Sequence, residues 1–226
     1  MKTFALAIIL GGLSIASVHA ADPIVLFNGQ DLTGWEKVLE THPDPAAVWS
    51  VSDGLLHCTG TPRGYLRTTR DDFKNYHLLV EWRWPENTPA GANNGVLVHT
   101  STPDALGVWP KSIEVQMANG NAGDFWVIPG DDADDPTTVD VPLEELPKYQ
   151  DRVQGRRHLN FTEGSEKPLG QWNTMEVICR DDTVTVIVNG EIVNYGDDCS
   201  ETSGAICLQS EGAPIAYRKV ELTPLD

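Results

Sequence analysis

Positive charge is scarce in this chain. Against 33 Asp and Glu stand 16 Lys and Arg, a formal net charge of −17 over 226 residues. A surface so acidic repels nucleic-acid phosphates and anionic lipid head groups, so the expected partner is a neutral ligand, with no nucleic acid. Long apolar runs are scarce too. The one candidate, Phe4–Val18, follows Lys2 and ends in Val18-His19-Ala20. It is short for a membrane span, and its order of basic start, apolar run and small-residue end is that of a cleaved secretory signal. Residues 1–20 are therefore expected to be a signal peptide and 21–226 one exported domain, periplasmic or secreted, without membrane insertion. No Cys stands at the cleavage point, which argues against a lipid anchor. Without Lys2 the remainder carries −18.

Cysteine is sparse, and several catalytic signatures are missing. Cys58, Cys179, Cys199 and Cys207 match no zinc-site spacing. In an oxidising compartment they allow three pairings, of which Cys179–Cys199 around a hairpin is favoured, with free buried thiols as the alternative. No Gly-x-Ser-x-Gly elbow is present, and no Cys has a neighbouring His except His57, so nucleophilic hydrolysis has little support. Phosphate-cradling glycine loops are absent. The acidic run Asp131–Pro136 lacks the glycine and distal glutamate of a calcium loop and reads as a solvated loop.

What the chain does have is two-residue alternation between turn signals. Trp49–Cys58 holds two short apolar runs around Asp53-Gly54, and the segments Met175–Cys179, Val184–Val188 and Ile192–Tyr195 form a meander whose second turn is Asn189-Gly190. Ile24–Phe27, Gly64–Thr69, Tyr76–Trp84, Gly95–Thr100, Ser112–Met117, Gly204–Gln209 and Ile215–Leu222 add strands, and Asp31–Trp35 reads as a turn closing on an aromatic. No amphipathic helix or solenoid repeat is evident. The fold class predicted is all-β, a two-sheet antiparallel sandwich of jelly-roll type. Between Met117 and Thr174 the alternation fades, and an excursion over one rim is expected, with a strand or two that cannot be placed.

Alternation also sorts the polar side chains. Successive residues of a strand point oppositely. Ser112–Met117 therefore turns Ile113, Val115 and Met117 one way and Ser112, Glu114 and Gln116 the other. In Tyr76–Trp84, Glu81 and Arg83 oppose Leu78, Val80 and Trp82. In Gly95–Thr100, His99 and Leu97 oppose Val96 and Val98. Adding Gln209 and Glu211 gives a candidate concave face, with Asn93 and Asn94 at its loop and Trp109 and Trp126 as stacking platforms for a sugar ring. The alternative is a wet outer sheet face for Glu81 with Arg83 and for Glu114 with Gln116, core packing for the tryptophans, a structural role for His99 and turn roles for the asparagines.

The motifs Leu26-Phe27-Asn28-Gly29 with Leu32-Thr33-Gly34-Trp35, Glu81-Trp82-Arg83, Asn93-Asn94-Gly95-Val96, Trp109 to Gln116, Gly120 to Trp126, Gly170-Gln171-Trp172-Asn173, Val188-Asn189-Gly190 and Leu208 to Gly212 together resemble the 3-keto-disaccharide hydrolase family. Tyr217-Arg218-Lys219-Val220 departs from that family's Phe-Arg-Asn-Ile. The resemblance implies a concanavalin A-like jelly roll that acts on glycosides already oxidised at C3. A ketone there acidifies the C2 proton, so a base can remove it, the glycosidic oxygen can leave, and water can add to the enone. In that scheme His99 or Glu114 takes the proton, Arg83 or a divalent cation stabilises the enolate, and Glu81, Gln116, Gln209 and Glu211 hold the sugar or a metal. The rival expectation is a noncatalytic carbohydrate-binding module using the same face.

Overall fold

The computed structural model describes residues 21–41, 44, 47–129, 137–140, 152–162 and 164–226. The signal-like segment 1–20 and the acidic run Asp131–Pro136 lie outside them. Among the described residues no helix is long and apolar enough to cross a membrane.

Sixteen strands make up the described regular structure. The first half of the chain supplies β1 (Ile24–Val25), β2 (Trp35–Leu39), β3 (Trp49–Ser52), β4 (Leu55–Cys58), β5 (Gly64–Thr68), β6 (Tyr76–Arg83), β7 (Gly95–Thr100) and β8 (Ser112–Gln116). The second half supplies β9 (Phe125–Ile128), β10 (Val153–Gln154), β11 (Arg157–His158), β12 (Asn173–Arg180), β13 (Thr183–Val188), β14 (Glu191–Gly196), β15 (Ala205–Ser210) and β16 (Ile215–Pro224). They form two sheets of eight strands. The front sheet runs β10-β11-β9-β8-β7-β15-β5-β2, and the back sheet runs β14-β13-β12-β6-β16-β4-β3 with β1 on β16. The strand pairs are antiparallel, as short strands joined by tight turns require.

Turn chemistry fixes several of these pairings. Asp53 and Gly54 both take positive φ, 54° and 75°, and so do Asn189 and Gly190, at 51° and 87°. Two successive left-handed residues give the turn whose twist matches the flanking strands, which is why Asp-Gly and Asn-Gly are found there. The core is the seam between the sheets. Tyr76, Leu78, Val80 and Trp82 of β6 face Val96 and Val98 of β7, Ile113 and Val115 of β8 and Ile206 and Leu208 of β15, all fully buried. At about 1.5–3 kcal/mol for each large apolar side chain removed from water, this seam sets the parity of every strand that crosses it.

Three details depart from expectation. Trp35 opens a strand, and its indole Nε1 donates 2.7 Å to Leu26 O, tying β2 to the first strand's end. The irregular stretch after Met117 contributes β9 to β11, which extend the front sheet. All four cysteines are free and buried, so the favoured Cys179–Cys199 bridge gives way to the buried-thiol alternative. Burial pushes the Cys179 and Cys199 thiols up to about 12, so neither is a ready nucleophile.

Candidate functional site

Four neighbouring strands of the front sheet build a cup on its outer face. Glu114 of β8 stands opposite Leu97 of β7 and Trp126 of β9, and Gln116 stands opposite Gly95. On the other side of β7, β15 brings Gln209 beside Gly95. A Cβ placed on Gly95 would meet Gln209 Oε1 and Glu114 Oε1 at 2.7 Å each, so the missing side chain is what lets the amide and the carboxyl share the floor. The rim is the tight loop closed by Leu106 N to Trp109 O at 3.0 Å, which places Trp109 over the cup. With Asn93, Trp126, Arg156 and Glu211 these groups enclose about 170 Å³.

The floor is polar and buried. Glu114 is 6% exposed and Gln209 fully buried. Glu114 Oε1, both amide atoms of Gln209, Asn93 Oδ1 and Trp126 Nε1 find no protein partner within good hydrogen-bond geometry, although Gln209 is close enough to Glu114 to favour its ionised form. Unmet buried polar atoms are costly and are expected where a ligand supplies the partner. Gln116 differs. Its Oε1 accepts from Met117 N at 3.0 Å and Ala118 N at 2.9 Å, so it shapes the following turn and leaves only its NH₂ for the cup.

Burial raises the Glu114 carboxyl to about 8, and the like charge of Glu211 adds to the rise, while Gln209 and Arg156 oppose it. Glu211 is also raised by burial, with Arg63 and the Asn93 amide opposing. A carboxyl raised to about 8 keeps its proton at neutral pH, and the charge of Glu211 is one cause of that rise. Arg156 is the cation of the cup. Its Nη1 donates 3.2 Å to Val127 O, and its guanidinium lies 5.8 Å from the Trp126 ring centre.

Other expected members are elsewhere. Glu81 and Arg83 do alternate against the core residues of β6, but β6 belongs to the back sheet, so their face is that sheet's outer surface, separated from the cup by the whole core. There Glu81 pairs with Arg218, and the Arg83 guanidinium lies 4.7 Å from the Trp172 ring centre. His99 turns inward. Its φ is 54°, the pairing of β7 with β15 is irregular alongside it, and its ring meets Tyr76 edge-on at 5.6 Å between centroids. The bulge reverses the parity that simple alternation assigns it. Asn94, also inward, clamps β7 to the core by donating 2.7 Å to Gln209 O and accepting 2.6 Å from Tyr217 Oη. Asn93, Glu114, Gln116, Trp109, Trp126, Gln209 and Glu211 are the expected residues that do meet at the cup. Among the described residues no three His, Cys, Asp or Glu side chains gather as a metal site.

The sequence matches, over residues 22–223, the family described as the 3-keto-alpha-glucoside-1,2-lyase-like domain. The chain belongs to that family. Membership places it among carbohydrate-active proteins. No curated protein matches it in sequence. Among solved structures it is similar to a candidate glycosyl hydrolase of Parabacteroides distasonis, at 20% identity and TM-score 0.60, covering 90% of this chain and all 100% of that one. It is similar also to a Bacillus licheniformis beta-glucanase, at 10% identity and TM-score 0.56 over 92% and 100% of the two chains. A carbohydrate-binding module, CBM66 from Bacillus subtilis, matches at 9% identity and TM-score 0.54 over 84% and 95%. At such identities the likeness is one of fold, the concanavalin A-like sandwich.

In this lyase-like domain two contributors escape sequence reading. Arg156 precedes β11 in a stretch without periodicity, and its only mark is an Arg-Arg pair after Gly155 in an acidic chain. Asp124, 1% exposed, anchors that stretch. Its Oδ2 accepts from Arg157 Nε at 2.8 Å and Nη2 at 2.6 Å, and its Oδ1 accepts from Asn160 N at 2.7 Å.

Proposed function

We propose that the cup cleaves glycosides that carry a ketone at C3, by elimination across C2 and C1 followed by hydration. The observation that carries this reading is the Glu114–Glu211 pair, two carboxyls lining one cup beside the Arg156 guanidinium, with buried polar atoms that lack protein partners. In this cycle Glu114 starts as the acid and Glu211 as the base. Glu211 takes the C2 proton, and the electron pair of that bond becomes the enolate, whose oxygen Arg156 stabilises. The enolate collapses, the C1–O bond breaks, and Glu114 gives its proton to the departing glycosidic oxygen. The carboxyls have then exchanged states. Water then enters, the proton on Glu211 exchanges with solvent, and water adds at C1 as Glu114 takes a proton from it and Glu211 delivers one to C2, which restores the enzyme and completes a net hydrolysis without any change of oxidation state.

This arrangement moves the proton-accepting role from His99, which lies in the core, and the enolate-stabilising role from Arg83, which lies on the other sheet. Asn93, Gln209, Trp109 and Trp126 would hold the ring. The test is to incubate the protein with a 3-keto-disaccharide and with its unoxidised parent. Free sugars from the ketone alone support the proposal. Binding of either sugar without release points to a noncatalytic module, and equal cleavage of both points to an ordinary glycosidase.

A further inference from the structure

The cup is not the largest hollow among the described residues. A cleft of about 440 Å³ opens on the outer face of the back sheet, and its floor is a single row of side chains in register. Ala216 of β16 stands opposite His57 of β4 on one side and Arg83 of β6 on the other. Trp172 immediately precedes Asn173, which pairs with Trp82, so the row continues from Arg83 to the indole. Neighbouring strands are about 4.8 Å apart, so the imidazole and the guanidinium spring from backbones about 10 Å apart with only a methyl between them. The small residue leaves a hollow flanked by two nitrogen donors.

Charge distinguishes the two guanidiniums on this face. Both Arg83 and Arg218 lie 4.7 Å from the Trp172 ring centre, but Arg218 is paired with Glu81, whereas no carboxylate among the described residues lies within ion-pair distance of Arg83. Stacking on Trp172 holds the Arg83 plane and leaves its N–H edge free to receive a planar oxyanion. Pro85 and Pro214 supply apolar walls. Glu86 lies across Gly170, where an added Cβ would meet its Cγ at 2.7 Å, and offers an acceptor for hydroxyl groups, as Thr59 also does.

We propose that this cleft is a second ligand site, for a sugar acid whose carboxylate seats on the Arg83 guanidinium over Ala216 and whose ring hydroxyls meet Glu86, Thr59 and His57. A single negative charge suits it. A doubly charged phosphate would face the Glu86 carboxylate and the field of a chain of net charge −17 with only one unpaired arginine to offset them. The site is separate from the cup, and the proposal stands whatever the cup does.

The test is a titration of the protein with sodium glucuronate, glucose and inorganic phosphate, followed by residue-resolved NMR. Saturable glucuronate binding that perturbs the Arg83, Trp172 and Ala216 signals is expected, with glucose and phosphate each weaker by about tenfold or more. Arg83→Gln should weaken glucuronate by about tenfold or more, the loss of a charge-assisted bidentate contact. Ala216→Leu should do the same by filling the hollow while both nitrogen donors remain. Glu114→Gln should leave it unchanged. The proposal is overturned if glucuronate fails to saturate by about 10 mM, if glucose or phosphate binds as well, or if folded Arg83→Gln binds as wild type does.

Discussion

The Glu114 carboxyl reaches to 2.7 Å from the point where a side chain on Gly95 would begin. The carboxyl of one strand thus occupies the volume that a Cβ on the next would need, and Gln209 crowds the same point from the other side. Gly95→Ala is expected to fold, because the obstacles, Gln209 Oε1 and the Oε1 and Cγ of Glu114, are side-chain atoms that can shift, at a cost of about 1–3 kcal/mol for the overpacking. Its melting temperature measures that cost. Its turnover of a 3-keto-disaccharide should fall by about tenfold or more, because the carboxyl is pushed from its place.

Glu114 also sets an alkaline limit to stability. Its carboxyl titrates ordinarily near 4.5 and in the fold at about 8, so between those values the native state holds a proton that the unfolded chain has released. The stabilisation is complete below 4.5 and is lost as pH rises through about 8. Glu211, raised in the same direction, contributes with the same sign. Glu114→Gln keeps the shape without the charge. Denaturant titrations should show it more stable than wild type at pH 9 and close to wild type at pH 4.5; equal stability at both would contradict the assignment.

His99 sets the acid side. Burial lowers it from 6.5 to about 4, and the Glu201 carbonyl, 2.7 Å from its Nδ1, opposes this only in part. The unfolded chain therefore binds more protons between those values, and stability is lost as pH falls from 6.5 towards 4. Asparagine tolerates the left-handed backbone at this position. His99→Asn should cost stability at neutral pH, flatten the acid limb of the stability profile, and turn over substrate at the wild-type rate, since the ring lies in the core.

Asp124 and Arg157 hold the segment that delivers Arg156. Asp124 is buried and Arg157 partly exposed, so losing the pair leaves a cation that water can still reach, and Asp124→Ala should melt below wild type mainly through the hydrogen bonds it loses. Asp124→Asn, which keeps part of the hydrogen bonding, should melt between the two and lose turnover in step with the displacement of Arg156.

Much of the sandwich is legible in the sequence because its strands are short and regular. The parity of Ser112 to Gln116 follows from alternation alone, and so does the outward direction of Glu114 and Gln116. Asp53-Gly54 and Asn189-Gly190 announce their hairpins. What alternation cannot convey is which sheet a strand joins. Glu81 and Arg83 have the right parity on the wrong sheet, because the neighbours of β6, namely β12 and β16, come from far along the chain. His99 fails differently. One left-handed residue in an irregular pairing turns it inward, and nothing in Gly95 to Thr100 marks it. Arg156 is hidden because the segment that carries it is ordered by Asp124 and Asn160 rather than by a repeat of its own.

The central claim is that the bond breaks through loss of the C2 proton. The measurement that tests it most directly is cleavage of a 3-keto-disaccharide in D₂O, with the hydrogen at C2 followed by NMR. Wild-type protein should release a product carrying deuterium at C2. Glu211→Gln and Glu114→Gln should each slow release by about 10²–10⁴-fold. Cleavage that leaves the original hydrogen at C2, or wild-type rates in both folded variants, would contradict the account.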